Sequence, residues 1–461
     1  MGFDSQWPKI WSEESSAFVV ERVTCKTIFI DAQIQLMKSF VREDEESWRT
    51  FVQRTFLAPI AEFHRRYDTV IVCFDNYQNV PIFKSIEQCK RTAMALPAQS
   101  FKFKAGDALP SRPYEQRIWV QALQNRTFKS NIISLIASMI AAEYVPPRRA
   151  TTLVVDFVNS TRIDYHTQGK TRAILEDMKP MGESDVKFMR YVRLFGDLCV
   201  DSIDSDVLLI AALFVARNSN KYNIYVRRYK TRLAMPVAQK RKLTDPGPEK
   251  KRLEYEIIHV NRLLQVLHTR MQKNVQLSPA SAKHAPDDSS QQDSDARFDL
   301  PCPAHLTAML SFMVLLCGCD YSKKLPRIGV KSLWDNFDMI IPAMLACTSY
   351  RNNTFSVDTE ASINGLIASL YARTYTRHVR LNKAGGATVA DNSMQDVLIM
   401  LHSSTLSEKT KQELPTHISL STTLRNIEWV INYWAIENGD PACPVDGTHG
   451  FRLVNDKVVF A

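Results

Sequence analysis

"TIFIDAQIQLMKSF", residues 27–40, begins with β-branched and aromatic residues, reaches an acid at Asp31, and continues with apolar residues at helical spacing. It reads as a short buried strand that ends at a carboxylate and passes into a helix. "DTVIVCFD" (68–75) repeats the strand-then-acid pattern, and "TTLVVDFV" (151–158) is a third buried strand. "RIWVQALQNRTFKSNIISLIASMIAAEY" (117–144) has the length and spacing of a helix, and a further helix starts in "GESDVKFMRYVRLF" (182–195). "LCVDSIDSDVLLIAALF" (198–214) runs strand, acidic turn, helix. Strands alternating with helices predict an α/β fold with a mostly parallel central sheet flanked by helices.

The chain has 461 residues, 45% of them hydrophobic, enough to bury a sizeable core. Lys and Arg outnumber Asp and Glu by 58 to 49, a net charge of +9 that favours an anionic partner such as nucleic acid or a membrane surface. The nine cysteines are odd in number and sit mostly in apolar stretches, as in "VIVCFD" and "LLCGCD", which predicts free thiols in a reducing compartment. No Cys or His spacing suits zinc, and no apolar run is long enough to span a membrane.

Composition changes after about residue 227. A basic, proline-broken run (227–252) is followed by an apolar segment (253–267) and a polar Ser-rich stretch (274–298), together read as an insertion over 227–300. Two basic clusters, 240–242 and 250–252, are spaced like a bipartite nuclear import signal and favour the nucleus over the cytoplasm. "AHLTAMLSFMVLLCGCD" (304–320) reads as a helix; the last third is mostly helical, with a Gly-rich loop at 382–393 and a terminal hairpin at 451–460. No internal repeat is present.

Seven acids end apolar runs or open helices: Asp31, Asp75, Glu183, Asp185, Asp204, Asp206 and Asp320. Each alone reads equally well as a helix cap or turn residue. In a parallel sheet, however, residues just past the strand ends gather at one edge. Carboxylates meeting there repel by several kcal/mol in a low dielectric unless cations neutralise them. Hard oxygen ligands without Cys or His favour Mg²⁺ or Mn²⁺, and two such ions about 4 Å apart suit in-line displacement at phosphorus.

The same residues resemble the structure-specific 5′ nucleases of the flap endonuclease and xeroderma-pigmentosum group G type, with a PIN-like core, and more distantly the 5′-to-3′ exoribonucleases. "FIDA" matches the family's first acid at Asp31, and "VCFDNYQNVPIFKSIEQCKR" its second at Asp75, followed by Pro81, Lys84, Glu87, Lys90 and Arg91 in the family's order. Glu183-Ser184-Asp185 stands for Glu-x-Glu, Asp204-Ser205-Asp206 for Asp-x-Asp, and Gly318-Cys319-Asp320-Tyr321 for Gly-x-Asp-Tyr. The resemblance covers residues 1 to about 340, with gaps. It implies that the seven acids hold two metal ions, with Asp31 and Asp75 holding the attacking hydroxide through them, and that Lys84 and Arg91 reach the scissile phosphate from the base of an arch or cap over 92–181, Lys84 as charge stabiliser and Arg91 as clamp. Gly2, Tyr77 and Lys90 would line the nucleic-acid path, Tyr77 stacking on a base or simply packing.

After Asp320, the resemblance implies a helix-two-turn-helix completing the core over 301–340. Its glycine-rich turn would hold a K⁺ ion against a phosphate. The expected Gly-Ile-Gly is here Arg327-Ile328-Gly329, which weakens the case for K⁺ and offers Arg327 to the phosphate directly. Gly329 would permit the tight turn, and Lys331 would add a phosphate contact. On this reading 1–226 is the first part of the nuclease core and 341–461 a helical extension.

The function expected is hydrolysis of phosphodiester bonds near 5′ ends, flaps or junctions of DNA by a monomer, leaving a 5′-phosphate and a 3′-hydroxyl. RNA-directed exo- or endonuclease action on the same core stays open, as does a catalytically silent nucleic-acid-binding scaffold. Retention of all seven acids argues for catalysis, because unneutralised carboxylates repel phosphate. No sliding-clamp peptide is recognised, since "QDVLIML" (395–401) lacks paired aromatics.

Overall fold

The computed structural model describes residues 14–38, 47–76, 116–175, 182–204, 206–229, 255–276, 301–318, 324–375, 393–434, 451–454 and 457–460. Nine strands form one sheet: β1 (Val19–Val20), β2 (Thr27–Asp31), β3 (Thr69–Cys73), β4 (Thr151–Asp156), β5 (Thr161–His166), β6 (Gly169–Ile174), β7 (Leu198–Asp201), β8 (Ile224–Tyr229) and β9 (Tyr255–His259), in the order β1-β9-β8-β7-β2-β3-β4-β5-β6. The five strands β8-β7-β2-β3-β4 run parallel, as the alternation of strand and helix predicts. Both margins are antiparallel, β9 and β1 on one side and the β5–β6 hairpin on the other.

Side chains alternate along each parallel strand and sort the core into two layers. Ile28, Ile30, Val70, Val72, Leu153 and Val155 pack against the helical run 48–64 and the helices Gln116–Gln124 and Arg126–Glu143. Phe29, Ile71, Val154, Leu198 and Val200 pack on the other face against the helices Ser184–Phe195, Asp206–Arg217, Val260–Gln276 and Pro303–Leu315. Burying each such side chain contributes roughly 1.5–3 kcal/mol. With every strand of the parallel set covered on both faces, its apolar runs are continuous rather than alternating.

Several expectations change in the structure. The helix expected over 117–144 is two, because Asn125 caps the second by accepting the N–H of Phe128 at 3.1 Å. Residues 161–174, for which the sequence offered no strand, form the hairpin β5–β6; every residue of β6 is exposed, so no apolar alternation marks it as a strand. Residues 116–175, expected within an arch or cap, supply two helices and three strands of the main fold instead. The apolar segment 253–267, expected inside an insertion, supplies β9 of the sheet and the start of the helix Val260–Gln276.

The C-terminal part is joined to the same core. Residues of Phe337–Cys347, Ala368–Thr374, Met394–His402 and His417–Tyr433 belong to one continuous apolar cluster with the sheet and Pro303–Leu315. A hairpin, β10 (Thr348–Arg351) and β11 (Thr354–Val357), turns through Asn352 and Asn353 at positive φ. The helix His417–Tyr433 holds it: Asn432 accepts the N–H of Phe355 at 2.9 Å and donates to its carbonyl at 2.8 Å, and Glu428 accepts the N–H of Val357 at 2.7 Å. The expected terminal hairpin is present as β12 (Phe451–Val454) and β13 (Lys457–Phe460). Among the described residues no helix is long and apolar enough to cross a membrane, and the six described cysteines are free thiols.

Candidate active site

The parallel strands deliver their C-terminal ends to one edge. There, register places Asp31 beside Cys73 and Cys73 beside Asp156, so all three point to the face covered by the helix Ser184–Phe195. Asp201 pairs with Ile30 and so points to the other face, where Arg227 takes it at 2.8 Å. Arg227 in turn lies 3.6 Å from the ring centre of Tyr255. The two strand-end acids that sequence reasoning passed over, Asp156 and Asp201, are both neutralised by a cation, Lys187 at 2.9 Å in the case of Asp156.

Asp31 is 4% exposed. Its Oδ1 accepts the N–H groups of Gln33 at 3.2 Å and Ile34 at 3.3 Å, so it does cap the helix that follows, and also the hydroxyl of Ser184 at 3.1 Å. Its Oδ2 accepts the hydroxyl of Ser202 at 3.2 Å. Asp75, two residues past the end of β3, accepts the N–H of Ser184 at 3.0 Å and its hydroxyl at 3.1 Å. Ser184 thereby joins the first two acids, while Glu183 and Asp185 flank it at the helix start. Glu183 is 3% exposed and occupies the N-cap position without using its side chain as the cap.

Asp204 receives the N–H of Asp206 at 3.2 Å, and its own N–H is bonded to Ser202 at 3.2 Å, so Ser202 links this turn to Asp31. Burial, then the charges of Asp75 and Asp204, push the Asp31 carboxyl up to about 7, against the opposing pull of the Ile34 N–H and the Ser184 hydroxyl. Among the described residues no Lys, Arg or His forms an ion pair with Asp31, Asp75 or Asp204. The seventh acid, Asp320, lies outside the described residues, as do Gly2, Tyr77, Pro81, Lys84, Glu87, Lys90, Arg91 and the loop 382–393.

Do these residues suit a divalent cation? Among the described residues, no three His, Cys, Asp or Glu side chains gather closely enough to form a finished metal site. The donor set is nonetheless the right chemistry: hard carboxylate and hydroxyl oxygens, with one acid, Asp31, whose carboxyl is pushed up by burial and then by the charges of Asp75 and Asp204.

The helix-two-turn-helix segment departs from expectation. Gly329 caps the helix Val330–Asp335 at φ −122°, ordinary extended backbone, and an added Cβ would meet nothing within 4 Å. The demanding positions are Gly318, at φ +79° and with Lys324 backbone N 2.7 Å from where a Cβ would sit, and Arg327, at φ +63°. The Arg327 guanidinium is engaged by Glu413 at 2.6 Å and Thr410 at 3.4 Å rather than held open for a phosphate. Lys331 lies in the first turn of Val330–Asp335.

Sequence reasoning missed Ser184 and Ser202, which carry the links between acids, and the buried Lys187. Ser184 was visible as the middle residue of Glu183-Ser184-Asp185, and Lys187 as a lone charge among Val186, Phe188 and Met189.

No protein-family model matches the chain. No curated protein matches it. Among solved structures, the catalytic core of Rad2 in complex with DNA substrate is similar at 12% identity, covering 90% of this chain and 98% of that one, with a TM-score of 0.34.

Proposed function

We propose that the chain is a divalent-metal-dependent 5′ nuclease that hydrolyses phosphodiester bonds near 5′ ends, flaps or junctions of DNA, leaving a 5′-phosphate and a 3′-hydroxyl. One observation carries the reading: Asp31 is buried beside Asp75 and Asp204 with no basic partner among the described residues, and its carboxyl is pushed up to about 7. Strand-end acids with a structural role, Asp156 and Asp201, have basic partners. Asp31, Asp75 and Asp204, which match three of the family's metal ligands, form no ion pair among the described residues.

In this reading Asp31, Asp75, Glu183, Asp185, Asp204, Asp206 and Asp320 hold two Mg²⁺ or Mn²⁺ ions. Such ions lower the pKa of a bound water and stabilise charge on the phosphoryl oxygens. The chain's own residues set the geometry. Ser184 and Ser202 fix the Asp31 carboxylate between two hydroxyls, and Ser184 holds Asp75 against the start of its helix. Lys84 and Arg91 stabilise the phosphate in the transition state. Gly2, Tyr77, Lys90 and Lys331 contact the nucleic acid, with Arg327 and Gly329 in the adjoining turn. The basic clusters at 240–242 and 250–252 direct the protein to the nucleus, for DNA repair or replication.

The test is purified protein with a 5′-labelled DNA flap, a nicked duplex and single-stranded RNA, in Mg²⁺ against EDTA. Metal-dependent release of 5′ fragments from the DNA substrates supports the reading. Preference for the RNA transfers the same chemistry to an RNA substrate, and cleavage of none in Mg²⁺ or Mn²⁺ leaves a nucleic-acid-binding scaffold.

A further inference from the structure

Lys187 is 1% exposed, on a helix whose neighbours Val186, Phe188 and Met189 are all core residues. Its ammonium donates to Asp156 Oδ1 at 2.9 Å and to the carbonyl of Phe74 at 2.8 Å. The other oxygen of Asp156 accepts the hydroxyl of Tyr191 at 2.7 Å, which lies 3.0 Å from Ser160 Oγ. A buried ion pair adds little net stability, because desolvating two charges cancels most of their attraction, and an apolar pair of similar volume would serve as well. The pair must therefore be read by what it touches.

It touches the segment that carries Asp75. Pairing of β3 ends at Cys73, so Asp75 stands outside the ladder. Four bonds tie residues 74–76 to 182–187: Lys187 Nζ to the Phe74 carbonyl, the Ser184 N–H at 3.0 Å and the Ser184 hydroxyl at 3.1 Å to Asp75 Oδ1, and the Asn76 N–H to the Gly182 carbonyl at 2.6 Å. Lys187 is the only charged donor of the four, and Asp156, on the neighbouring strand, fixes where its ammonium sits.

We propose that Lys187, anchored by Asp156, is a positioning residue that holds Asp75 beside Ser184 and the Glu183–Asp185 turn, in the placement a divalent cation needs. The last clause rests on the nuclease reading; the placement of Asp75 does not. Outer partners of this kind typically change metal affinity or activity by about 10–100-fold when removed.

The experiment compares the wild type with the double variant Lys187→Met/Asp156→Asn, which removes both charges together and leaves no lone buried charge. The single variant Asp156→Asn, which keeps an acceptor for Tyr191 but leaves the Lys187 ammonium buried without its counter-charge, is the more disruptive second case. The double variant Arg228→Met/Glu256→Gln removes a second buried ion pair, 2.7 Å apart on β8 and β9, and is the control. Readouts are amide hydrogen exchange at Asn76 and Ser184, Mn²⁺ affinity by calorimetry, and kcat and KM on the cleaved substrate. In both site variants, exchange at Asn76 and Ser184 is expected to speed up and Mn²⁺ affinity to fall by about tenfold or more, with kcat lowered and KM little changed. The control should move none of these. Unchanged exchange at Asn76 and Ser184, or an equal change in the control, overturns the proposal. If the wild type neither binds Mn²⁺ nor cleaves, the nuclease reading falls, and the positioning role is judged on exchange alone.

Discussion

The hydroxyl of Ser184 lies 3.1 Å from Oδ1 of Asp31 and 3.1 Å from Oδ1 of Asp75. A hydroxyl has one proton to donate, so it satisfies one carboxylate at a time unless the other oxygen carries a proton of its own. Ser184→Ala removes that shared contact but keeps the helix start. We expect a loss of about 0.5–1.5 kcal/mol in stability and a larger effect on cleavage, about tenfold or more in kcat. Ser184→Thr, which restores the hydroxyl, should recover most of it. Equal activity of the Ala and wild-type proteins would remove Ser184 from the site.

The raised Asp31 carboxyl makes a signed prediction about pH. Its ordinary value is 3.8 and its folded value about 7, so between these the folded state binds more protons than the unfolded one. Stability contributed by the protonated form is present at about pH 4 and is lost as pH rises towards about 7. Without divalent cations, melting temperature should fall over that window, by the equivalent of roughly 1–4 kcal/mol. Asp31→Asn should flatten the slope, and Mg²⁺ should raise the melting temperature of the wild type at pH 7–8 but not that of Asp31→Asn. Parallel melting curves for the two proteins in EDTA would contradict this.

Arg327 sits at φ +63°, a region that disfavours side chains, in exchange for an exposed ion pair with Glu413. Exposed pairs of this kind contribute about 0–1 kcal/mol, and left-handed backbone at a non-glycine residue costs a comparable amount. Arg327→Gly should therefore be neutral or stabilising by up to about 1 kcal/mol in urea unfolding. Gly318→Ala, at φ +79° and with Lys324 backbone N 2.7 Å from the new Cβ, should destabilise by about 2 kcal/mol or more. Reversal of this order would mean that the turn rearranges freely.

Asn432 makes both of its bonds to the backbone of Phe355, as a strand would. Asn432→Ala should cost about 2–3 kcal/mol, because it leaves a backbone N–H and a carbonyl without partners. Glu408→Gln, which breaks an exposed pair with Lys411, should change stability by less than about 0.5 kcal/mol. Chemical denaturation monitored at the aromatic residues distinguishes the two.

The parallel core was legible because β2, β3, β4 and β7 are buried on both faces and read as unbroken apolar runs. The acids were legible for the same reason, since a carboxylate at the end of such a run is conspicuous. The local pattern does not tell Asp31 from Asp156 or Asp201, which end their strands alike. That distinction depends on Lys187 and Arg227, whose approach is fixed by register and by which face a side chain takes. The hairpin β5–β6 was illegible because an edge strand exposed throughout carries no burial signal. β9 was hidden for another reason: it is short and lies beyond a long basic run, so only its pairing with β8 identifies it as part of the sheet.

The helix Pro303–Leu315 is buried from Ala304 onward except at His305, walled by the sheet's helices on one side and by the C-terminal helices and the β10–β11 hairpin on the other. A fragment cut after residue 340 would turn that inner rod into an outer surface of bare hydrocarbon. Anyone seeking a minimal folded piece should therefore expect inclusion bodies, and should shorten this molecule from loops inward rather than from its tail.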